Sequence, residues 1–300
     1  MRELLADCSP FADGIDVFDG DPAPDRLAAL VREADVVLDG HTALDGALLA
    51  QAPRLRSIVF LGTGASNYID LAAASRRGIV VRAVKNYGDR TIAEHAFGLL
   101  LAAARGFARM DYDVRNGIWA PQNGIELAGK TLGIIGVGAT GAEMARIAFG
   151  FGMQVIGWNR SGVVADVPCT AMPLDEVLAN SDAISVHLAL CAETQGFFDA
   201  QRLNRLKPGC LLVNVARGGL FDEPALIEAL RTGRIAHAAL DVFTTEPLPK
   251  GHALTMLPNV TLSAHAAWKS REASFRLLRR SLELARADAE RLVAGDTLAP

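Results

Sequence analysis

Arg217, Glu246 and His265 are a cation, a carboxylate and an imidazole, and each stands just past a short apolar run. Leu211–Val215 leads into Ala216-Arg217-Gly218-Gly219, Ala238–Val242 into Thr244-Thr245-Glu246-Pro247, and Val260–Leu262 into Ser263-Ala264-His265. Runs of this length and composition read as strands, and in an open α/β sheet ligands bind beyond the carboxyl ends of the strands. Together the three types suit reduction of a 2-oxo acid. A cation takes the acid's carboxylate, an imidazole gives a proton to the carbonyl oxygen, and a carboxylate partners the imidazole. Taken singly, each has a plainer use: Arg217 as a capping or surface residue, Glu246 as an exposed turn residue, His265 as a satisfied core histidine.

A second constellation precedes them. The apolar run Thr131–Gly136 opens directly into Gly136-Val-Gly138-Ala139-Thr140-Gly141 and then a small-residue helix, Ala142–Phe151. Glycines at this spacing permit a tight turn, close approach of backbone to a pyrophosphate, and close helix–strand packing. The helix N-terminus adds free N–H groups. A dinucleotide enzyme for NAD carries Asp or Glu roughly 20 residues further on, against the ribose 2′-hydroxyl. Here the next strand ends in Trp158-Asn159-Arg160-Ser161. A missing carboxylate followed by a guanidinium, whose planar fork pairs with phosphate, favours NADP(H) over NAD(H). The plainer reading is Asn159 on the ribose hydroxyls of NAD with Arg160 stacked on adenine.

These residues need a scaffold of alternating strands and helices. In the first 85 or so residues, strands are expected at Glu3–Ala6, Ile15–Phe18, Asp35–Leu38, Ser57–Leu61 and Ile79–Ala83, with helices at Arg26–Glu33, Gly46–Ala50 and Ile69–Arg77. A long helix follows over Thr91–Arg109, apolar almost all round in its first part, as expected of a helix buried between domains or subunits. Asn116–Asn123 reads as an exposed loop. A second series has strands at Thr131–Gly136, Gln154–Trp158, Ala183–Leu188, Leu211–Val215, Ala238–Val242 and Val260–Leu262. The last helix, Glu272–Ala294, spaces its leucines to pack back on the first domain. The pattern predicts an α/β protein of two doubly wound parallel-sheet domains.

Composition narrows the class. Three hundred residues fit about two domains, and half the residues are hydrophobic. With 30 basic against 34 acidic residues and no basic cluster beyond short helix faces, no nucleic-acid partner is expected. The longest strongly apolar run, Ala96–Ala104, falls far short of the roughly 20 residues a bilayer requires. No membrane association is expected. Met1–Cys8 lacks the apolar stretch of a signal peptide, and the four cysteines form no CxxC pair, so reduced thiols in a cytoplasmic protein are expected. The six histidines show no HxxxH or HExxH spacing, and no metal is expected.

Six segments, GTGASNYIDLAAASRRGI (62–79), TIAEHAFGLLLAAAR (91–105), GKTLGIIGVGATG (129–141), LKPGCLLVNVARGGLFDEPAL (206–226), ALDVFTTEPLP (239–249) and NVTLSAHAAW (259–268), make the chain resemble the D-isomer-specific 2-hydroxyacid dehydrogenases nearly end to end. The resemblance implies a flavodoxin-like substrate domain from 1–88 and 270–300 and a Rossmann-type dinucleotide-binding domain over 89–269. It implies that Arg217 holds the substrate carboxylate and helps polarise the carbonyl, that His265 is the general acid–base, and that Glu246 is its partner. Cofactor contacts are implied for Gly136, Gly138, Ala139, Thr140, Gly141, Asn159, Arg160, Ser161, Ala189, Thr194, Val215, Ala216 and Asp241, with Asp241 facing the nicotinamide. Gly62, Thr63 and Gly64 would offer backbone N–H groups to the substrate carboxylate. Trp268, three residues after His265, is similar to the glyoxylate and hydroxypyruvate reductase branch and would wall the substrate pocket. A homodimer is implied by the family and by the apolar helix Ile92–Ala104. The family also contains phosphite and formate dehydrogenases and dinucleotide-sensing corepressors, which are the alternatives. Departures are His187-Leu188-Ala189-Leu190, without the family's Pro two residues after the histidine, Asn86-Tyr87-Gly88, without a Pro at the hinge, and Ala264 where Pro commonly precedes the catalytic histidine. The last leaves the His265 loop one restraint fewer.

Overall fold

The computed structural model describes residues 14–18, 20, 22–163 and 166–298. The chain divides into two compact units, one from Met1–Gly88 with Ser270–Pro300 and the other Asp89–Lys269. In the first, helices α1 (Pro24–Glu33), α2 (Gly46–Ala50) and α3 (Leu71–Arg76) alternate with strands β1 (Val36–Asp39), β2 (Ser57–Phe60) and β3 (Val80–Ala83). The strands are parallel, in the order β1-β2-β3. Alternate side chains of a strand face opposite ways, so Val37, Ile58, Phe60 and Val81 join one apolar cluster with Leu49 and Ala73. Leu38 and Leu61 meet Leu278 and Leu282 on the other face. Those leucines belong to α10 (Arg271–Val293), which returns to this sheet as its leucine spacing predicts.

The second unit holds α4 (Asp89–Arg105), α5 (Phe107–Arg115), β4 (Thr131–Ile135), α6 (Ala139–Gly150), β5 (Gln154–Trp158), β6 (Thr170–Ala171), α7 (Leu174–Asn180), β7 (Ala183–Val186), α8 (Ala200–Asn204), β8 (Cys210–Asn214), α9 (Glu223–Arg231), β9 (Ile235–Leu240) and β10 (Val260–Leu262). Its parallel sheet has the order β10-β9-β8-β7-β4-β5-β6. Leu211 and Val213 face a core with α4 and α6, whereas Cys210 and Leu212 face one with α7 and α9. Strands covered on both sides are apolar at nearly every position, which is why β7 and β8 read as continuous runs rather than alternations. The order reverses between β4 and β7, and a crevice at such a point is where doubly wound sheets bind ligands.

Several expectations need correction. Ile15–Phe18 forms no strand: Val17 and Phe18 stay exposed, and Ile15 packs on Leu278 and Leu282 instead. Glu3–Ala6 lies outside the described residues. β9 begins three residues earlier than its apolar run because His237, polar in sequence, is satisfied within the sheet by the Thr261 hydroxyl at 2.9 Å. β6, two residues long, gave no periodic signal. The long helix breaks at Gly106, whose φ of 65° is a left-handed conformation that glycine adopts without strain. The apolar face of α4 needs no partner subunit: Ala93, Ala96, Leu100 and Ala104 are covered by the unit's own sheet and α6. Among the described residues no helix is long and apolar enough to cross a membrane.

The first unit is tied by a largely buried ion pair. Arg82 on β3 binds Asp288 on α10 through Nε and Nη2 at 2.8–3.0 Å, and Ser57 donates to the same carboxylate at 2.6 Å. Burial pushes the Asp288 carboxyl up, but Arg82 and Ser57 outweigh it and hold it below the usual carboxylate range. A lowered carboxyl stabilises the fold above its unfolded value of about pH 4 and loses that contribution as the pH falls through the lowered value. Asp288→Ala takes away the carboxylate that Arg82 and Ser57 share and should cost about 3 kcal/mol at pH 7, read by urea unfolding, with the deficit shrinking in acid.

Candidate active site

β4 hands the chain to Gly136, at φ 99°, and a side chain there would collide with the backbone of His187 and Leu188 beyond β7, 2.7–2.9 Å from its β-carbon position. Only glycine permits this approach at the point of strand reversal. Gly141 is equally closed, against the carbonyl of Gly136. Gly138 differs: nothing lies within 4 Å of where its β-carbon would be, and it caps the N-terminus of α6. Two closed glycines and one open one at a helix N-terminus form a cradle whose free N–H groups suit a pyrophosphate. Ala139 and Thr140 begin that helix, and the Thr140 hydroxyl is fixed on Asp89 at 2.8 Å.

The turn after β5 is closed by Asn159, which donates to the Ser161 hydroxyl at 2.9 Å and the Gly162 carbonyl at 3.1 Å. Arg160 is exposed, and Glu193 lies in the loop after β7. The Cys191 thiol and Glu193's own amide, with the charge of Arg160, hold that carboxyl below its usual range. In the same loop Thr194 donates to the Ala189 carbonyl at 2.7 Å and accepts from the Cys191 amide at 2.8 Å. His187 is half-buried, bonded to Ser185 at 2.8 Å and pushed down to about 4 by desolvation, so it is neutral at pH 7.

Val215 is buried, and the Ala216 carbonyl accepts the Arg217 Nη1–H at 2.6 Å. The turn carrying Arg217 is fixed by Asn214, the buried last residue of β8. Its Oδ1 accepts the Ala216 amide and its Nδ2 donates to the Arg217 carbonyl, both at 3.0 Å. Gly218 packs directly on the backbone at Phe243–Thr244, where a side chain would not fit. Asn214 was not singled out from sequence, although a polar end to the apolar run CLLVN is a usable signal.

His265 Nδ1 meets Glu246 Oε2 at 2.6 Å, while Glu246 Oε1 accepts the Phe243 amide at 2.8 Å. Glu246 is therefore oriented from both oxygens, and the Nδ1 bond leaves His265 Nε2 without a hydrogen bond among the described residues. His265 itself has φ 49°, uncommon for a residue with a side chain. Such a conformation persists where surrounding bonds over-determine it. Its amide donates to the Asp241 carbonyl at 2.8 Å, and the next two amides, Ala266 and Ala267, donate to the Asp241 carboxylate at 3.0 and 2.9 Å. These bonds supply the restraint that Pro would have given at Ala264. Asp241, expected to face the nicotinamide, is instead wholly buried, and its carboxylate contacts go to this loop and to His95. Burial pushes its carboxyl up, yet His95, Ser263 and the two amides more than offset this and hold it ionised. Trp268 is half-buried at the loop's far end. In the first unit, Gly62 (φ 154°), Thr63 and Gly64 form the turn after β2, leading into the short helix Ala65–Asn67. Among the described residues no three His, Cys, Asp or Glu side chains converge as metal ligands.

The chain is similar to known proteins over most of its length. Residues 97–267 match the family model of the D-isomer specific 2-hydroxyacid dehydrogenase NAD binding domain. A glyoxylate reductase of Aeropyrum pernix is 39% identical over 85% of this chain and 80% of its own length. A D-3-phosphoglycerate dehydrogenase of Mycobacterium leprae is 40% identical over 84% of this chain, which spans only 49% of that protein. Among solved structures, the acyclic imino acid reductase Bsp5, in complex with NADPH and D-arginine, is 29% identical with a TM-score of 0.82, over 99% of this chain and 94% of its own.

Proposed function

The chain belongs to the D-isomer specific 2-hydroxyacid dehydrogenase family, an NAD(P)-dependent enzyme family, and from that premise we propose that it reduces a small 2-oxo acid of the glyoxylate or hydroxypyruvate kind. The observation that carries this reading is the Glu246–His265 pair, 2.6 Å apart, with the second imidazole nitrogen unbonded among the described residues. Glu246 accepts the hydrogen bond of Nδ1–H and fixes the orientation of the ring. Nε2 then delivers its proton to the carbonyl oxygen of the substrate and recovers it in the reverse direction. Arg217 receives the substrate carboxylate through the face of its guanidinium not bound to Ala216. In the first unit, the Gly62–Gly64 turn is assigned the role of offering backbone N–H groups to substrate, and Trp268 in the second that of shaping the pocket. A nicotinamide, when bound, supplies the hydride.

The pyrophosphate of that cofactor is assigned to Gly136–Gly141 and the start of α6, where the open side of Gly138 leaves room for it. Asn159, Arg160 and Ser161 take the adenosine ribose, with Ala189, Thr194, Val215 and Ala216 assigned to the rest of the pocket. NADP(H) is favoured because the strand end offers a guanidinium and no carboxylate, and the similar reductase Bsp5 is described with NADPH.

The subunit is assigned to a homodimer, through a different surface from α4. Phe107, Tyr112, Val114, Ile118 and Trp119 on α5 and the following loop are all exposed, Trp119 by 88%. Large exposed apolar side chains grouped in this way mark association surfaces. Sedimentation velocity should give a dimer, and Trp119→Glu should shift it toward monomer; a wild-type monomer refutes the assignment.

Glyoxylate and hydroxypyruvate should be turned over with NADPH or NADH, and formate and phosphite, offered with the oxidised cofactors, should not. Turnover of formate or phosphite alone overturns the 2-oxo acid reading, and dinucleotide-dependent protein binding without turnover replaces it with a sensor. His265→Ala is expected to lower kcat at least 100-fold, with cofactor Kd within about twofold. Arg160→Ala should weaken NADPH about tenfold or more and leave NADH nearly unchanged, measured by fluorescence titration; equal losses defeat the 2′-phosphate argument.

A further inference from the structure

We propose that His95, on α4, is a positioning residue for the catalytic loop, acting through Ser263 and Asp241. Its Nε2 lies 3.2 Å from Ser263 Oγ and 3.4 Å from Asp241 Oδ1. Ser263 Oγ is 2.5 Å from the same Oδ1. The proton inventory fixes the direction of this chain. A hydroxyl has one proton, and an ionised carboxylate can only accept. Ser263 therefore donates to Asp241, its lone pair accepts from His95, and His95 must carry a proton on Nε2. Asp241 passes the order on to the loop, since the oxygen bound by Ser263 also holds the Ala266 amide and its other oxygen the Ala267 amide. The residue immediately before these two amides is His265, in its left-handed conformation.

His95 bonds to neither Glu246 nor His265, so its effect is on placement. Without its N–H, Ser263 loses the partner that orients its hydroxyl, and Asp241 loses one of the donors that keep a wholly buried carboxylate ionised. Asp241 can then rotate to seek compensation, releasing one of the two amides. A loop carrying a strained φ relaxes once such restraints are removed, and the imidazole leaves its line with Glu246. α4 is anchored independently by its packing on β8, β9 and β10, so it serves as a fixed reference for the loop.

The inference rests on His265 being the acid–base residue, and the test separates the two. Wild type, His265→Ala, His95→Ala, His95→Gln, Ser263→Ala and the His95→Ala/Ser263→Ala double variant are compared with the best 2-oxo acid. His95→Ala should lower kcat about tenfold, with cofactor Kd and substrate KM within about twofold. His95→Gln, which restores an N–H at similar reach, should recover most of the loss. Ser263→Ala should match His95→Ala, and the double variant should be no worse than the poorer single one, because both cut one chain. Circular dichroism confirms folding of each, and Ser263→Ala, a near-isosteric change, stands as the test if His95→Ala does not fold. Unchanged kcat, multiplicative losses, or no rescue by Gln overturns the positioning role while leaving His265 intact. Retention of activity in His265→Ala overturns both.

Discussion

A single carboxylate without solvent sets the geometry of the catalytic half of this protein. Asp241 follows β9 at the heart of the second unit, with none of its surface exposed, and a buried charge is tolerated only when its lone pairs are filled. Three of its donors come from one short stretch, Ser263 to Ala267, and the Asp241 carbonyl holds the His265 amide between them. Satisfying the charge and shaping the loop are thus one event. The loop cannot adopt another form without leaving the carboxylate unsatisfied, which is a far stiffer constraint than the intrinsic preference of a histidine backbone.

Asn214 has the matching role at the end of the neighbouring strand, and the two are joined directly, as the Asp241 amide donates to the Asn214 carbonyl at 3.0 Å. Arg217 and His265 are therefore held by buried polar residues of adjacent strands, and their separation is inherited from the parallel pairing of β8 and β9. The cofactor end is built on different principles. There glycines make the space, a helix start supplies the donors, and the long charged side chain of Arg160 is exposed. Rigid buried polar groups hold the Arg217 and His265 turns, while the strand end at the glycine cradle carries an exposed charge.

What could be read from the sequence was governed by local pattern. Apolar runs rich in β-branched residues marked most strands of both sheets to within a few residues, and the glycine spacing located the cradle because each glycine answers to its immediate neighbours. Glu246 and His265 were legible as a pair from strand-end chemistry and from family resemblance, and they meet. The rest depends on side chains bonding across long separations. His95 and Ser263 are 168 positions apart, and Asp241 reaches 25 positions to Ala266, with no spacing rule to reveal either. Hydropathy also could not say what covers an apolar helix: α4 is hidden by its own sheet, while exposed apolar surface sits on α5, whose sequence looks more polar.

The first unit is made from two separated stretches of chain, and this has a consequence for how the protein is made. Arg82 and Asp288 are 206 residues apart. At a synthesis rate of roughly 5–20 residues per second, Arg82 leaves the ribosome about 10–40 s before Asp288 does. Over that interval Leu38 and Leu61 have no α10 to cover them, while the second unit, continuous from Asp89 to Lys269, is synthesised in full. The first unit therefore closes only after α10, which is translated after the whole of the second unit, has emerged.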